Sequence, residues 1–373
     1  GSFLHKHAYP DWFADHLKND KELETGHSHS SNEVGCLQMR GEYLYTAEGD
    51  KGMRIYDIAS IANKGVSQRI ISAPVSPLGQ DAGVRSKDAA CVVLATTQPV
   101  QPSRNVGDLM RKDNQEQATH PIYRYALIAD RKEGLILVDI DTLSDGEPRN
   151  NDLERALTWN PKGILDGAHY IAVGGSNLYV LTDNKLVILD MTDPLKPKVT
   201  SQVAMNQPRG ADLQFRYLFV TDKEGLKVVD VTKPESPKLI ANNVVKIKNA
   251  QRVFVARTYA YVAAGEEGLV IVDIEKPESI KEYQRFNADG KIKDARDVVV
   301  AMTNASTFAY IADGEGGLKI VQLMSPTTQP KFYGFSPDPK PEFIAHYPTS
   351  SPALSLSKAL ERDRAVDETG GQI

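Results

Sequence analysis

Six times along the chain a short apolar run appears, in five of the six copies with an aspartate at its fifth position. The copies are Met53-Arg-Ile-Tyr-Asp-Ile58, Leu135-Ile-Leu-Val-Asp-Ile140, Leu186-Val-Ile-Leu-Asp-Met191, Leu226-Lys-Val-Val-Asp-Val231, Leu269-Val-Ile-Val-Asp-Ile274 and Leu318-Lys-Ile-Val-Gln-Leu323. They are rich in β-branched residues, and most have glycine just before and proline soon after, which favours strand over helix. Their fifth residues (Asp57, Asp139, Asp190, Asp230, Asp273, Gln322) are spaced by 82, 51, 40, 43 and 49 positions. A single strand of this kind cannot bury its own faces, so each copy must belong to a unit that stacks on the next.

The rest of each unit can be read around that strand. An aromatic-containing strand precedes it, as in Tyr43-Leu-Tyr45, Tyr217-Leu-Phe-Val220 and Tyr259-Ala-Tyr-Val262. A small-residue apolar strand comes before that, such as Ala250-Gln-Arg-Val-Phe-Val-Ala256. A proline turn and a fourth strand follow, as in Pro237-Lys-Leu-Ile240 and Pro330-Lys-Phe-Tyr333. Four strands in six units predict an all-β, six-bladed β-propeller of four-stranded blades over about residues 32–335, with blade one at about 33–77. The literal Leu269-Val-Ile-Val-Asp273 and its five variants resemble the LVIVD-repeat family of β-propellers, over about four-fifths of the chain. That resemblance implies the propeller, often on secreted or surface-attached proteins, but no single activity. The marker Asp is expected to cap the turn after it, a cap that Gln322 puts in question in blade six. Blade three has Thr182-Asp-Asn-Lys-Leu186 in place of the turn glycine, with Asn184 expected in a left-handed conformation.

Outside the repeats lie an arm at 1–31, an insert at 97–121 and a tail at 336–373. The arm carries His5, His7, His16, His27 and His29, five of the eight histidines. Four of them, His5, His7, His27 and His29, are metal candidates, since neutral imidazole is a common ligand; the alternative is a solvated polar arm. The tail reads as a stiff Pro-rich linker, Ser336-Pro-Asp-Pro-Lys-Pro341, then a short helix opening at Ser351-Pro-Ala-Leu354. The propeller is expected to keep its stability without it. Gly1-Ser-Phe3 and Gly370-Gly-Gln-Ile373 read as ends cut from something longer. The arm and the tail are expected to pack against another protein subunit or against the propeller's own rim, and the 97–121 loop is a further candidate contact with another subunit.

Composition limits the chemistry. A net charge of −5 argues against a general nucleic-acid binder. No apolar run approaches the roughly 20 residues of a membrane span. The two cysteines, Cys36 and Cys91, fall on the innermost strands of blades one and two, where buried free thiols are the favoured reading over a disulfide. No Cys-x-x-Cys-His occurs, which excludes c-type haem attached in the usual way. Nor does any nucleophile elbow, zincin helix, dinucleotide or phosphate loop.

In a propeller the starts of the inner strands and the turns between strands two and three share one face, around the channel mouth. Asp88, His169, Asp212, Asn249, Arg252, Arg296 and Asp297 should form a mixed ring there, with Asp130, Asp222, Glu266 and Asp313 on the turns. Mixed signs suit ion pairs that hold blades in register. The function expected is a non-enzymatic interaction or scaffold module of an extracellular, cell-surface or periplasmic assembly. One alternative is a calcium-dependent hydrolase of the six-bladed type, with calcium held by Asp, Asn and Glu oxygens. Another is a redox partner whose His-rich arm meets a haem protein.

Overall fold

The computed structural model describes residues 34–41, 43–57, 83–95, 120–143, 153–240, 243–302, 306–330 and 336–358. They form six antiparallel sheets in chain order. Blade one is β1 (Cys36–Arg40), β2 (Tyr43–Ala47), β3 (Met53–Asp57) and β4 (Gly83–Val84). Blade two is β5 (Ala89–Leu94), β6 (Tyr125–Asp130), β7 (Gly134–Asp139) and β8 (Arg155–Trp159). Blade three is β9 (Tyr170–Gly174), β10 (Asn177–Leu181), β11 (Lys185–Asp190) and β12 (Lys198–Ala204). Blade four is β13 (Gly210–Gln214), β14 (Tyr217–Asp222) and β15 (Gly225–Asp230), edged by β16 (Lys238–Leu239) and β17 (Val245–Lys246). Blade five is β18 (Val253–Ala256), β19 (Tyr259–Ala263), β20 (Leu269–Asp273) and β21 (Lys281–Phe286); blade six is β22 (Asp297–Met302), β23 (Thr307–Ala312), β24 (Leu318–Met324) and β25 (Glu342–Tyr347). The 1–31 arm with its histidines, and the insert up to residue 119, lie outside the described residues.

The unbroken apolar runs follow from the stacking. A strand's side chains alternate between two faces, and a middle strand here has a blade on each. In blade five Tyr259, Tyr261, Leu269 and Ile271 pack on Val298, Ile311 and Val321 of blade six. The intervening Ala260, Val262, Val270 and Val272 pack on Phe219, Leu226 and Val228 of blade four. Outer strands meet water and are accordingly polar, as in Lys-Glu-Tyr-Gln-Arg-Phe of β21. The buried clusters join blades one to three, three to four, four to five and five to six. Among the described residues none joins six to one: Phe308, Tyr310, Leu318 and Ile320, on the face of blade six that points away from blade five, are only half-buried.

The marker aspartates cap as expected. Oδ1 of Asp139, Asp190, Asp230 and Asp273 each accepts the backbone N–H two residues on, at 2.8–3.0 Å. Blade six needs no such cap, because β24 runs on through Gln322 to Met324. In blade three the turn closes with Thr182 N–H on the Lys185 carbonyl at 2.9 Å. Asn184 is not left-handed there, contrary to expectation. Gly225 does need its freedom: at φ 139° a Cβ would lie 2.0 Å from the Val245 carbonyl oxygen.

Three expectations are corrected. The outer strand of blade one lies at Gly83–Val84, beyond 77, paired with β3. Cys36 and Cys91 are joined by a disulfide that links β1 to β5 across two blades; residues offset by one on neighbouring inner strands are close enough to bond. Blade six does not end at 335. Its fourth strand is β25, whose Phe343 and Ala345 pair with Val321 and Ile320; of the expected strand at 330–333, residues 331–333 lie outside the described residues. The linker before β25 is tied down as well: Tyr259 donates its hydroxyl to Asp338 at 2.8 Å, and Lys340 N–H bonds the Leu323 carbonyl at 2.7 Å. Beyond β25, residues 351–358 are extended rather than helical.

Deleting 336–373 is therefore expected to destabilise the protein by about 3 kcal/mol or more, a drop in Tm of about 10 °C. Thermal unfolding of the truncated chain checks this; an unchanged Tm would show that β25 contributes nothing.

Candidate functional site: the central channel

The inner strands β1, β5, β9, β13, β18 and β22 surround the channel, and the site is best built from the chain outward. Two of the inner strands, β5 and β22, begin bonded to the turn between strands two and three of the preceding blade. Gly49 exchanges two backbone hydrogen bonds with Ala89, at 2.8 and 3.0 Å, and Gly265 does so with Ala295, both at 3.0 Å. These handovers place the residues flanking each strand start at one face.

The turn acids prove structural. Asp130 is fully buried; Oδ2 accepts the Asp88 amide at 2.7 Å and Oδ1 those of Lys132 and Glu133. Burial pushes Asp130 up, but these amides outweigh it and hold the carboxyl below its ordinary range. Asp222, equally buried, pairs with Lys227 Nζ at 2.6 Å, and Asp313 accepts the amides of Lys293 and Asp294 at 2.8 and 2.6 Å. Lys319 lies 3.8 Å from Asp313. The lysine at the second position of those two marker strands is thus the partner of the acid on the strand before. Blade one uses Arg54 and Glu48 in the same way, at 3.4 Å. Glu266 is exposed, 3.7 Å from Lys248.

Of the seven ring residues, four are engaged locally. Asp88 meets Arg131 at 3.3 Å, and Arg296 meets Asp294 at 2.7 Å. Asn249 Oδ1 accepts from Arg209 and Gln251 at 2.9 and 2.7 Å. His169 sits between the carbonyls of Gly167 and Pro208, at 2.9 and 2.8 Å, tying blade three to blade four. Burial lowers its pKa, against the pull of both carbonyls.

The other three come together. The Arg252 guanidinium lies 4.2 Å over the ring of Tyr170, and Tyr170 feels the charges of Arg252, Asp212 and Asp297. Burial raises the Tyr170 phenol to about 12, so it remains a donor at neutral pH. Asp212 accepts its neighbour Leu213's amide at 2.9 Å and, across the blade gap, that of Val255 at 2.6 Å; burial nevertheless pushes it up to about 6. Asp297, also raised by burial, accepts the amides of Val298 and Leu356, both at 2.8 Å, and the Ser355 hydroxyl at 3.2 Å. Arg252 Nη1 is buried without a hydrogen-bond partner. A cavity of about 250 Å³ adjoins this cluster, between Gln38, Leu94, Tyr170, Ala172 and Asp212.

Sequence reading missed Tyr170 and the tail. The signal for the tail was present: Ser351-Pro-Ala353 followed by alternating Leu and Ser matches Lys87-Asp-Ala89 and Lys293-Asp-Ala295 at the start of inner strands. Among the described residues no group of three or more His, Cys, Asp and Glu is arranged to hold a metal, and no helix is long and apolar enough to cross a membrane. His5, His7, His27 and His29 lie outside the described residues.

A ring of six four-stranded blades around a polar channel defines a six-bladed β-propeller. The LVIVD-repeat model matches residues 34–70, 124–146, 167–204, 216–243, 248–288 and 293–334, together more than half of the chain, and the protein belongs to the LVIVD-repeat family. Similar solved structures include a protein from Lactobacillus plantarum, at 14% identity over 86% of each chain with a TM-score of 0.57. A putative 6-phosphogluconolactonase from Bacteroides uniformis matches at 9% identity, over 85% of this chain and 82% of its own, with a TM-score of 0.51. Saccharomyces cerevisiae Sqt1 matches at 6% identity, over 87% and 77%, with a TM-score of 0.52. At these identities the likeness is one of fold. No curated protein matches the chain.

Two predictions follow from the site's electrostatics. Lys227→Met leaves Asp222 buried and unpaired, and should destabilise the protein by about 3 kcal/mol in denaturant unfolding. Asp212 has its folded pKa above its unfolded 3.8, so the folded state holds an extra proton between about pH 4 and 6. Its contribution to stability is present below that window and lost as pH rises through about 6. Relative to Asp212→Asn, the wild type should therefore lose about 2 kcal/mol between pH 4 and pH 7; a pH-independent difference would contradict the buried-carboxyl assignment.

Proposed function

We propose that this protein is a non-enzymatic interaction module: a rigid disc that offers a face to a protein partner, working outside the reducing cytosol. The observation that carries this reading is Phe215. It sits at the tip of the hairpin between β13 and β14, in blade four, on the face opposite the channel mouth described above. It is 93% exposed and has φ 53°. A bulky residue in the left-handed region is strained by about 1–2 kcal/mol, and a bare phenyl ring gains nothing from water. Retention of both costs at one position suits an aromatic anchor that fills a partner's pocket.

The remaining features agree. Most charges at the channel mouth are spent on ion pairs and backbone amides, which suits a scaffold more than a site that must bind and release substrate. The Cys36–Cys91 disulfide is of a kind that persists in oxidising compartments, which supports an extracellular, surface or periplasmic location. Contact with a further subunit through the 1–31 arm or the 97–121 loop is compatible with this reading.

Phe215→Asn separates the two roles, because Asn tolerates the left-handed region. The variant should be more stable by about 1 kcal/mol, yet lose the protein that co-purifies with the unaltered chain from its native source. An unchanged set of co-purifying proteins would refute the anchor.

A further inference from the structure

The seam between blades six and one differs from the other five. It lacks a shared buried cluster among the described residues. On the blade-one side it presents a polar network, with Thr46 and Tyr56 donating to Glu48 Oε1 at 2.8 and 2.9 Å. The chain fills the inner end of this seam with its own segment Ala353–Lys358. Ala353 exchanges backbone hydrogen bonds with Gly314 at 2.9 and 3.0 Å, as Ala89 does with Gly49 and Ala295 with Gly265. The segment thus starts where the inner strand of a next blade would start. It then runs between β22 and β1: Leu356 N–H binds Asp297 Oδ2 at 2.8 Å, and Met39 N–H of β1 binds the Ser357 hydroxyl at 2.8 Å. Lys358 ends the run with its ammonium 5.8 Å from the centre of the Phe254 ring and within the field of Asp212.

Every contact in this run is one that a separate chain could make. Two are backbone hydrogen bonds with Gly314, one is a backbone amide on a carboxylate, two need only a hydroxyl, and the last needs a cation. Few large side chains are locked in place: Leu354 and Leu356 are half-buried, and the linker at 348–352 that leads into the segment is exposed. Beside Asp212 a cavity of about 250 Å³ opens, lined by the inner strands of blades one to four.

We propose that the slot between blades six and one is a docking site for an extended segment of a partner protein, with Ala353–Lys358 as its resident, exchangeable occupant. The partner segment has a small residue where Ala353 stands, alternating aliphatic and hydroxyl residues, and a lysine or arginine that reaches toward Asp212. This is strand addition in which the protein carries its own stand-in for the ligand. The slot is independent of the Phe215 hairpin, so either reading can fail without the other.

The test uses the full chain carrying Leu356→Pro, which removes the amide that Asp297 receives, and a fluorescent peptide of sequence Ser-Pro-Ala-Leu-Ser-Leu-Ser-Lys as probe. Fluorescence anisotropy should show at least tenfold tighter binding to this variant than to the unaltered chain. Adding Asp297→Asn, or replacing the peptide's lysine by alanine, should weaken that binding several-fold. A second full-length variant, Ser357→Asp with Lys358→Glu, loosens the resident segment without touching its backbone and should behave like the first. If folded variants bind the peptide no better than the unaltered chain, the proposal is wrong. It is equally wrong if both variants lose the native circular dichroism, since the segment is then an integral strand. It is wrong too if they dimerise on size exclusion instead of binding peptide, since the occupant is then a second copy.

Discussion

One backbone exchange recurs at three of the seams of the ring: the turn glycine of one blade bonds the residue that starts the next inner strand or stands in its place. Gly49 with Ala89, Gly265 with Ala295 and Gly314 with Ala353 are the same contact at three places. Once the starts are fixed, strand alternation determines which side chains face which neighbour, and the apolar marker strands have somewhere to go on both faces. At Gly314 the handover has no seventh blade to receive it, and the tail takes that role. Closure of this propeller is therefore a property of residues well beyond the last repeat.

The polar interior follows from the same geometry. Bringing six strand starts together gathers carboxylates that would be costly to bury bare. The chain meets that cost in two ways: backbone amides for Asp130, Asp212, Asp297 and Asp313, and a basic side chain for Glu48 and Asp222. The first way leaves Asp212 and Asp297 raised by burial beside Arg252. This cluster of Asp212, Asp297 and Arg252 is the one the tail's Lys358 approaches.

Much of the fold could be read from the chain, because period, β-branching and turn chemistry are local signals. The strand runs, the six units and the caps at Asp139, Asp190, Asp230 and Asp273 all came from residues close in sequence. The misreadings share a cause. β25 and Ala353–Lys358 are defined by partners on distant strands, and nothing in Pro-rich spacing announces that Phe343 will pair with Val321. The disulfide depended on how far apart β1 and β5 lie, which spacing in sequence does not reveal. For the site, the sequence located the ring of candidates but could not say which charges would find partners. Asp88, Arg296, Asn249 and His169 spend themselves on neighbours, while Tyr170 supplies the ring that Arg252 covers.

Hydrogen exchange at the amides of Met39, Ala353 and Leu356 in the native chain tests closure by the tail most directly, since each is bonded only if the segment lies between blades six and one. The account predicts clear protection of all three, weaker than that of β20 amides such as Ile271 because the segment opens before the blades do. Exchange of Ala353 and Leu356 at the rate of an unstructured peptide would contradict it.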